Sequence, residues 1–305
     1  MSGNHALDAN SGVSRHANIE ITSHGSDFYF TVCAIMGAAT VVLFLLSLSK
    51  PPSHRLFHHL LAASTFISCI AYFAMGSNLG QTPVTTEFRR SGTREVFYAR
   101  YIDWFITAPL LLLSLLLTAR VPIAMMVGTI GAAWVAILCA LIGALVPTSY
   151  KWGFATFGVS ALLFVFWQVL WDGRRLAYAP GGPVRRTYMM AGPLLVFVWM
   201  LYPVAWGLSE GRNVIHPDSE AVFYGVLDIF TKAVFAAVML YGHRSMAPEV
   251  LGYGVTDVRT RGLASGGQSM GENLAYRNQL SSGDENPSIG TATVANREEA
   301  VITDV

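Results

Sequence analysis

The sequence predicts an all-α membrane protein, a seven-transmembrane helix bundle with its N-terminus extracellular and its C-terminus cytoplasmic. Three observations carry that expectation. Of the 305 residues, 53% are hydrophobic and only 13% charged, against about 25% charged in an average soluble chain. The charges are also segregated. Residues 28–49, 56–86, 121–150, 152–171 and 187–209 contain no Asp, Glu, Lys or Arg, and the runs 101–119 and 221–243 hold only a few isolated ionisable residues. Each run can cross a hydrocarbon core, which takes a helix of about 20 residues. Finally, the flanking cations sort by side. Lys50, Arg55, Arg120, Arg174, Arg175, Arg185, Arg186 and Arg244 fall on one face, and Arg15, Arg89, Arg90, Arg94, Lys151 and Arg212 on the other. The short-loop excess marks the first face as cytoplasmic.

Along the chain, residues 1–26 form a polar, mobile extracellular tail. It lacks the basic start and apolar core of a cleavable signal peptide, so the first span serves as the targeting signal. That span stops at Ser49-Lys50-Pro51-Pro52-Ser53, a helix end followed by a turn. The loop over about 78–94 is the longest extracellular connection, and its Thr82-Pro83-Val84-Thr85-Thr86 stretch predicts a short hairpin. Ala179-Pro180-Gly181-Gly182-Pro183 breaks the chain between the fifth and sixth spans. Residues 27–245 thus make the helical domain, and 246–305 a disordered cytoplasmic tail of Gly, Ser, Asn, Thr and mixed charge. Cys33, Cys69 and Cys139 lie in apolar spans and read as buried thiols rather than a disulfide framework. A net charge of +1 gives no reason to expect a nucleic-acid partner; the partner is the lipid bilayer.

Ionisable residues inside a membrane cost a few kcal/mol on insertion scales and usually pair. Here they are Asp103 in the third span, and Asp228 and Lys232 in the seventh. Asp228 and Lys232, four residues apart, share a helix face, and Arg100 lies one turn before Asp103. Two carboxylates, one lysine and one arginine cancel only if they meet in the bundle interior. Structural ion pairing would account for them, but buried ion pairs stabilise poorly compared with apolar packing. A buried amine beside two carboxylates has a further option: condensed with an aldehyde, it stays cationic when anions flank it. Trp104 follows Asp103, and Trp199, Tyr202, Pro203 and Trp206 recur at helical spacing in the sixth span. Such a stripe is ordinarily core; beside an intramembrane lysine it suits a flat conjugated ligand. Pro203 is expected to kink its helix there.

These segments resemble the microbial (type 1) rhodopsins. Ala99-Arg100-Tyr101-Ile102-Asp103-Trp104, with Thr107, Pro109 and a leucine run, is similar to the family's third helix. Trp199-Met200-Leu201-Tyr202-Pro203-Val204-Ala205-Trp206 is similar to its sixth, and Leu227-Asp228-Ile229-Phe230-Thr231-Lys232 to its retinal-attachment segment. The resemblance covers about residues 28–245 and, with Lys151-Trp152-Gly153, is nearest to the fungal branch of bacteriorhodopsin-like opsins. It implies a photoreceptor rather than an enzyme, with all-trans retinal bound to Lys232 as a protonated Schiff base. By the same resemblance Asp103 is the primary counterion and proton acceptor, Asp228 the second counterion, and Arg100 a switch leaning toward the exit. Tyr72 and Tyr202 hydrogen-bond around the counterions, Thr107 bonds Asp103, and Trp104, Trp199 and Trp206 sandwich the polyene. Leu111 matches the apolar position of green absorbers. Taken alone, Glu210 and Glu220 read more plainly as solvated loop charges; the resemblance matches them to paired carboxylates that release protons outward and puts the two readings level. On the charge-derived topology Glu220 falls about 12 Å outward of Asp228. Members of the family form trimers or dimers, and the plasma membrane is the expected location.

One departure matters. Eleven residues after the counterion, about 16 Å toward the cytoplasm, the family's outward pumps carry a carboxylate; here the position is Ser114. Serine cannot store a proton at neutral pH. Leu61 replaces a hydroxyl that would assist such a donor, so the cytoplasmic half reads as apolar. Two readings follow: a slow outward proton pump refilled from bulk water, or a light sensor whose slow cycle signals to a partner that the sequence leaves unknown. The retained exit groups favour the pump, and Ser114 and Leu61 favour the sensor. A receptor for a diffusible ligand does not account for the intramembrane Asp–Lys pair, and a passive channel would want a hydrated cytoplasmic half. His58 and His59 read as interfacial side chains, with a role in proton entry as the alternative.

Overall fold

The computed structural model describes residues 4–11, 16–87, 92–244 and 246. The tail beyond 246 and the loop cations Arg15, Arg89 and Arg90 lie outside the described residues. A short helix α1 (His5–Asn10) precedes seven helices that are long and apolar enough to cross a membrane. These are α2 (Ser23–Leu48), α3 (Leu56–Gly76), α4 (Tyr98–Thr118), α5 (Ile123–Leu145), α6 (Lys151–Tyr178), α7 (Gly182–Gly211) and α8 (Pro217–His243). Each packs on the next, and α8 closes the ring by contacting α7, α2 and α3. The protein is an all-α integral membrane protein that crosses the bilayer several times.

Burial is unevenly shared, and this locates the site. Over their most apolar stretches only 17% of α5 and 22% of α2 and α6 is buried, against 56% of α4 and 50% of α8. The outer helices expose Val41, Phe44, Ile123 and Phe157, which suits lipid and not water. The central helices α4 and α8 are the two that carry Asp103, Asp228 and Lys232.

Two helices depart from regular α geometry near the site. In α7 the hydrogen-bond ladder is interrupted at Met200, three residues before Pro203, whose ring lacks the N–H that would continue it. In α8 the segment Ile229–Val234 is a π turn. Such single-turn insertions are common at functional sites because they redirect side chains; this one brackets Lys232.

The expected hairpin forms: β1 (Thr82–Thr85) pairs antiparallel with β2 (Thr93–Val96), Val84 opposite Arg94. The N-terminal stretch, expected to be a mobile tail up to residue 26, is instead partly folded onto this hairpin. Ile19 bridges to Arg94, its N–H donating to the Thr93 carbonyl and its own carbonyl accepting from the Glu95 N–H, both at 3.0 Å. Thr22 caps α2, so the first span begins at Ser23. The physical reason is an unpaired strand edge on β2, whose backbone groups a polar segment satisfies as well as an apolar one.

Glu95 is only 1% exposed and accepts the Ile21 N–H at 2.7 Å. Burial pushes its carboxyl up to about 7; the Ile21 N–H pulls the other way, and the Glu20 and Glu220 charges add to the rise. The folded protein therefore holds this proton where the unfolded chain has lost it. Stability is lost as pH rises from the unfolded value near 4.5 through about 7, and is level above. Glu95→Gln keeps the acceptor and removes the titration. In thermal unfolding between pH 5 and 8 the variant is expected to be flatter than the parent, and more stable at pH 8 by roughly 1–3 kcal/mol.

Candidate functional site

Asp103, Asp228 and Lys232 meet in the bundle interior, all at 2% exposure or less. Lys232 Nζ makes a short ion pair with Asp103 Oδ2 and lies 3.3 Å from Asp228 Oδ2. A lone cation between two carboxylates leaves one negative charge in excess, and neutral donors surround it. Ser68 Oγ donates to Asp103 Oδ1 at 2.7 Å. Asp228 accepts from Tyr72 at 2.6 Å, from Tyr202 at 2.6 Å and from the Trp104 indole at 3.2 Å. Hydrogen bonds to ionised groups are worth about 1.5–3 kcal/mol each, which makes a buried anion tolerable.

Beside Lys232 lies a cavity of about 460 Å³, within the usual range of about 300–1,000 Å³ for small-molecule sites. Trp104, Trp199, Tyr202, Pro203 and Trp206 give it aromatic walls, and Leu111 an aliphatic one. Ala133, Ala136 and Gly158 open space between α5 and α6. Asp228 and Lys232 are the only charged groups in its lining. An apolar slot ending at one amine fits a long hydrophobic aldehyde.

A second buried cluster sits one to two turns nearer the hairpin. Arg100 donates to Glu220 at 2.5 Å, lies 3.4 Å from Glu210 and donates to Tyr29 at 2.6 Å, with its guanidinium 4.2 Å over the Tyr224 ring. Arg94 holds the other oxygen of Glu220 at 2.5 Å. Glu210 accepts from Tyr101 at 2.9 Å and from Tyr224 at 3.2 Å, and contacts the Ser209 hydroxyl closely. Tyr29, Tyr72, Trp104, Tyr202 and Tyr224 form an aromatic layer between the clusters, with Tyr29 and Tyr72 edge to face at 5.7 Å and Trp104 and Tyr224 tilted at 5.2 Å.

The family model described as bacteriorhodopsin-like protein matches residues 24–246. The chain belongs to the bacteriorhodopsin-like family. It is a microbial rhodopsin, a transporter or photoreceptor rather than an enzyme, and the family's chromophore is retinal. The opsin-like protein carO of Fusarium fujikuroi is 47% identical over 266 residues, covering 85% of this chain and 87% of the relative. Two solved light-driven proton pumps have the same fold. The rhodopsin of Coccomyxa subellipsoidea is 32% identical with a TM-score of 0.72, covering 74% of this chain and 99% of that one. The pump of Leptosphaeria maculans is also 32% identical, with a TM-score of 0.70 and coverages of 74% and 97%.

Several sequence expectations for this rhodopsin need correcting. Arg100 does not join Asp103 and Asp228 in one cluster; it leans toward Glu210, Glu220 and Tyr29, the outward direction the resemblance implied. Glu210 and Glu220 are not solvated loop charges but are 5% and 1% exposed, because helix ends and hairpin close over them. Tyr72 and Tyr202 both serve Asp228. Thr107 donates to the Asp103 backbone carbonyl at 2.8 Å, the habitual i−4 bond of a helical threonine, and leaves the carboxylate to Ser68. Sequence reasoning missed Ser68, although it lies one turn before Tyr72 on the same face. It also placed Arg94 among loop cations. On the other side of Lys232, Ser114 donates to the Leu111 carbonyl at 2.7 Å and Leu61 is buried. His58 is buried rather than interfacial, whereas His59 is exposed.

Breaking a buried ion pair by removing one partner costs about 3–5 kcal/mol. Arg94→Met is expected to lower unfolding stability by about that amount. Arg94→Met combined with Glu220→Gln should recover part of the loss in a double-mutant cycle; strict additivity would mean that the two do not interact.

Proposed function

We propose that this rhodopsin is a light-driven outward proton pump in which Lys232 carries all-trans retinal. The observation that supports this most directly is the arrangement of two buried charge clusters in line, Lys232 with its aspartates at the centre and Arg100 with its glutamates toward the hairpin. When bound, retinal supplies a light-driven double-bond isomerisation that moves the Lys232 nitrogen and changes its hold on a proton. Asp103 Oδ2, the nearest base to Nζ, receives that proton, while Ser68 keeps the carboxyl oriented. Asp228 is already engaged by the Tyr72, Tyr202 and Trp104 donors, which leaves Asp103 as the acceptor. With Asp103 neutral, the inner cluster attracts Arg100 less, and the guanidinium presses harder on Glu210 and Glu220. That favours release of a proton from this pair toward the hairpin face.

The hairpin face is taken as extracellular. Its cations Arg94 and Lys151 are buried, at 2% and 3% exposure, and engage Glu220 and the Glu210 carbonyl. They are spent inside the protein, which sharpens the excess of surface cations on the opposite face. Toward that face the route from Lys232 passes the buried side chains of Leu111, Leu115, Phe235 and Met239, and Ser114 stores no proton. Recovery is therefore slow. The closed apolar half is also what a slow light sensor would have, so transport is the property to measure.

Three outcomes are expected. The protein reconstituted with retinal absorbs in the green, and Lys232→Ala abolishes the visible band. Illuminated cells acidify their medium; a protonophore or Asp103→Asn removes the signal, whereas coloured protein with no acidification would leave the sensor. Ser114→Asp shortens recovery after a flash by an order of magnitude or more, read as decay of the deprotonated Lys232 state.

A further inference from the structure

An outward pump must take up a proton at the face opposite the hairpin, and the family's carboxylate there is Ser114. At that face the last turn of α8 brings His243 against α4. Its Nε2 lies 3.0 Å from Thr118 Oγ1, and Thr118 Oγ1 is 2.8 Å from the Ser114 carbonyl. Its Nδ1 lies 2.7 Å from the Met239 carbonyl. A carbonyl only accepts, so Nδ1 carries a hydrogen, and Nε2 is the nitrogen that gains and loses a proton while facing Thr118. The ring is stacked on Phe57 with centroids 4.2 Å apart. Tautomer and orientation are thus both fixed from outside the ring, which packing alone does not require.

The surroundings include titratable groups. His243 borders a cleft of about 730 Å³ together with His58 of α3, Lys50 and His54 of the α2–α3 connection, and Tyr241 and Arg244 of its own helix end. Toward Ala233 the cleft is an apolar groove between α2 and α8, lined by Ala39, Val42, Leu43 and Ala236, and Lys232 does not border it. The other packed elements present hydroxyls: Thr118 of α4, and Thr187 of α7 against the adjoining Gly242.

We infer that His243 is the proton-uptake residue of this rhodopsin, passing a proton from its Nε2 through the Thr118 hydroxyl to Lys232 Nζ. The inference rests on the pump reading above. The step balances as a single proton transfer: Nζ gains one proton, His243 loses one, and water at the cleft, with His58 beside it, restores it. Eleven residues of helix separate the two groups, about 16 Å. The intervening buried Leu111, Leu115, Phe235 and Met239 must admit water during the cycle, which makes this step rate-limiting.

The test is flash photolysis of the full-length, retinal-loaded protein in nanodiscs from pH 5 to 8. In the parent, decay of the deprotonated Lys232 state is expected to level off at the acid end, where a histidine donor stays loaded, and to slow as pH rises. His243→Gln keeps a polar partner for Thr118 but does not titrate. It should form the deprotonated state at the parental rate, within twofold, and then decay at least tenfold more slowly at pH 6. Its decay should slow tenfold per pH unit throughout, and added imidazole should restore speed. Thr118→Val should slow decay in the same direction, and exposed His59→Gln should not. Parental decay in His243→Gln at every pH, or a parental rate proportional to proton concentration across the whole range, overturns the inference while leaving the pump intact. Failure of the parent to deprotonate Lys232 or acidify the medium overturns the pump reading itself. Should His243→Gln bind no retinal, the pH profile of the parent decides alone.

Discussion

The structure depends on a lysine held between two aspartates in a place with no water to solvate any of them. One cation against two anions leaves an uncompensated charge, which a low-dielectric interior penalises by several kcal/mol. Arginine does not relieve it, since Arg100 is committed elsewhere. The relief comes from Ser68, Tyr72, Trp104 and Tyr202, contributed by three different helices. To aim those donors inward, α3, α4 and α7 must adopt fixed rotations about α8. The charge arrangement therefore dictates helix orientation as much as apolar packing does. It also explains why α4 and α8 are the most buried of the central helices while α5 is given over to lipid.

The aromatic layer is the second consequence. Tyrosines and tryptophan that donate to Asp228 with one end present their rings to the next layer with the other, and Tyr224 receives Arg100 on its face. The same side chains both satisfy the inner anion and insulate it from the outer cluster. Two groups of charges one to two turns apart are thus coupled by electrostatics without sharing a hydrogen bond among the described residues. A proton transfer in one changes the field felt by the other, which is the property a pump needs.

Much of this was legible in the sequence where the signal was a contradiction of environment. Asp103, Asp228 and Lys232 stand out because charges interrupt apolar runs, and their spacing places them on facing surfaces. The seven spans followed from length and composition alone. Glu210 and Glu220 were harder, because they lie at helix ends, where exposure and burial give the same local sequence. Only the closure of the hairpin and the N-terminal segment decides between them. Arg94 was misplaced for the same reason. Ser68 was hidden by its chemistry: a helical serine ordinarily satisfies itself on its own backbone, and here Asp103 competes successfully for its proton. The N-terminal stretch was read as a tail because it is polar, but strand pairing uses backbone groups that any side chain leaves available.

The hairpin end has a consequence for biogenesis. Its parts come from residue 19, from residues 93–96, and from Asn213, Ile215 and Glu220; Thr93 and Glu95 bond Ile19, and Arg94 grips the last three. During synthesis the first two exist long before the last helix emerges from the ribosome. Arg94 must wait for its anion until the seventh segment has entered the bilayer. The hairpin end is thus completed only once the last spanning helix is in place.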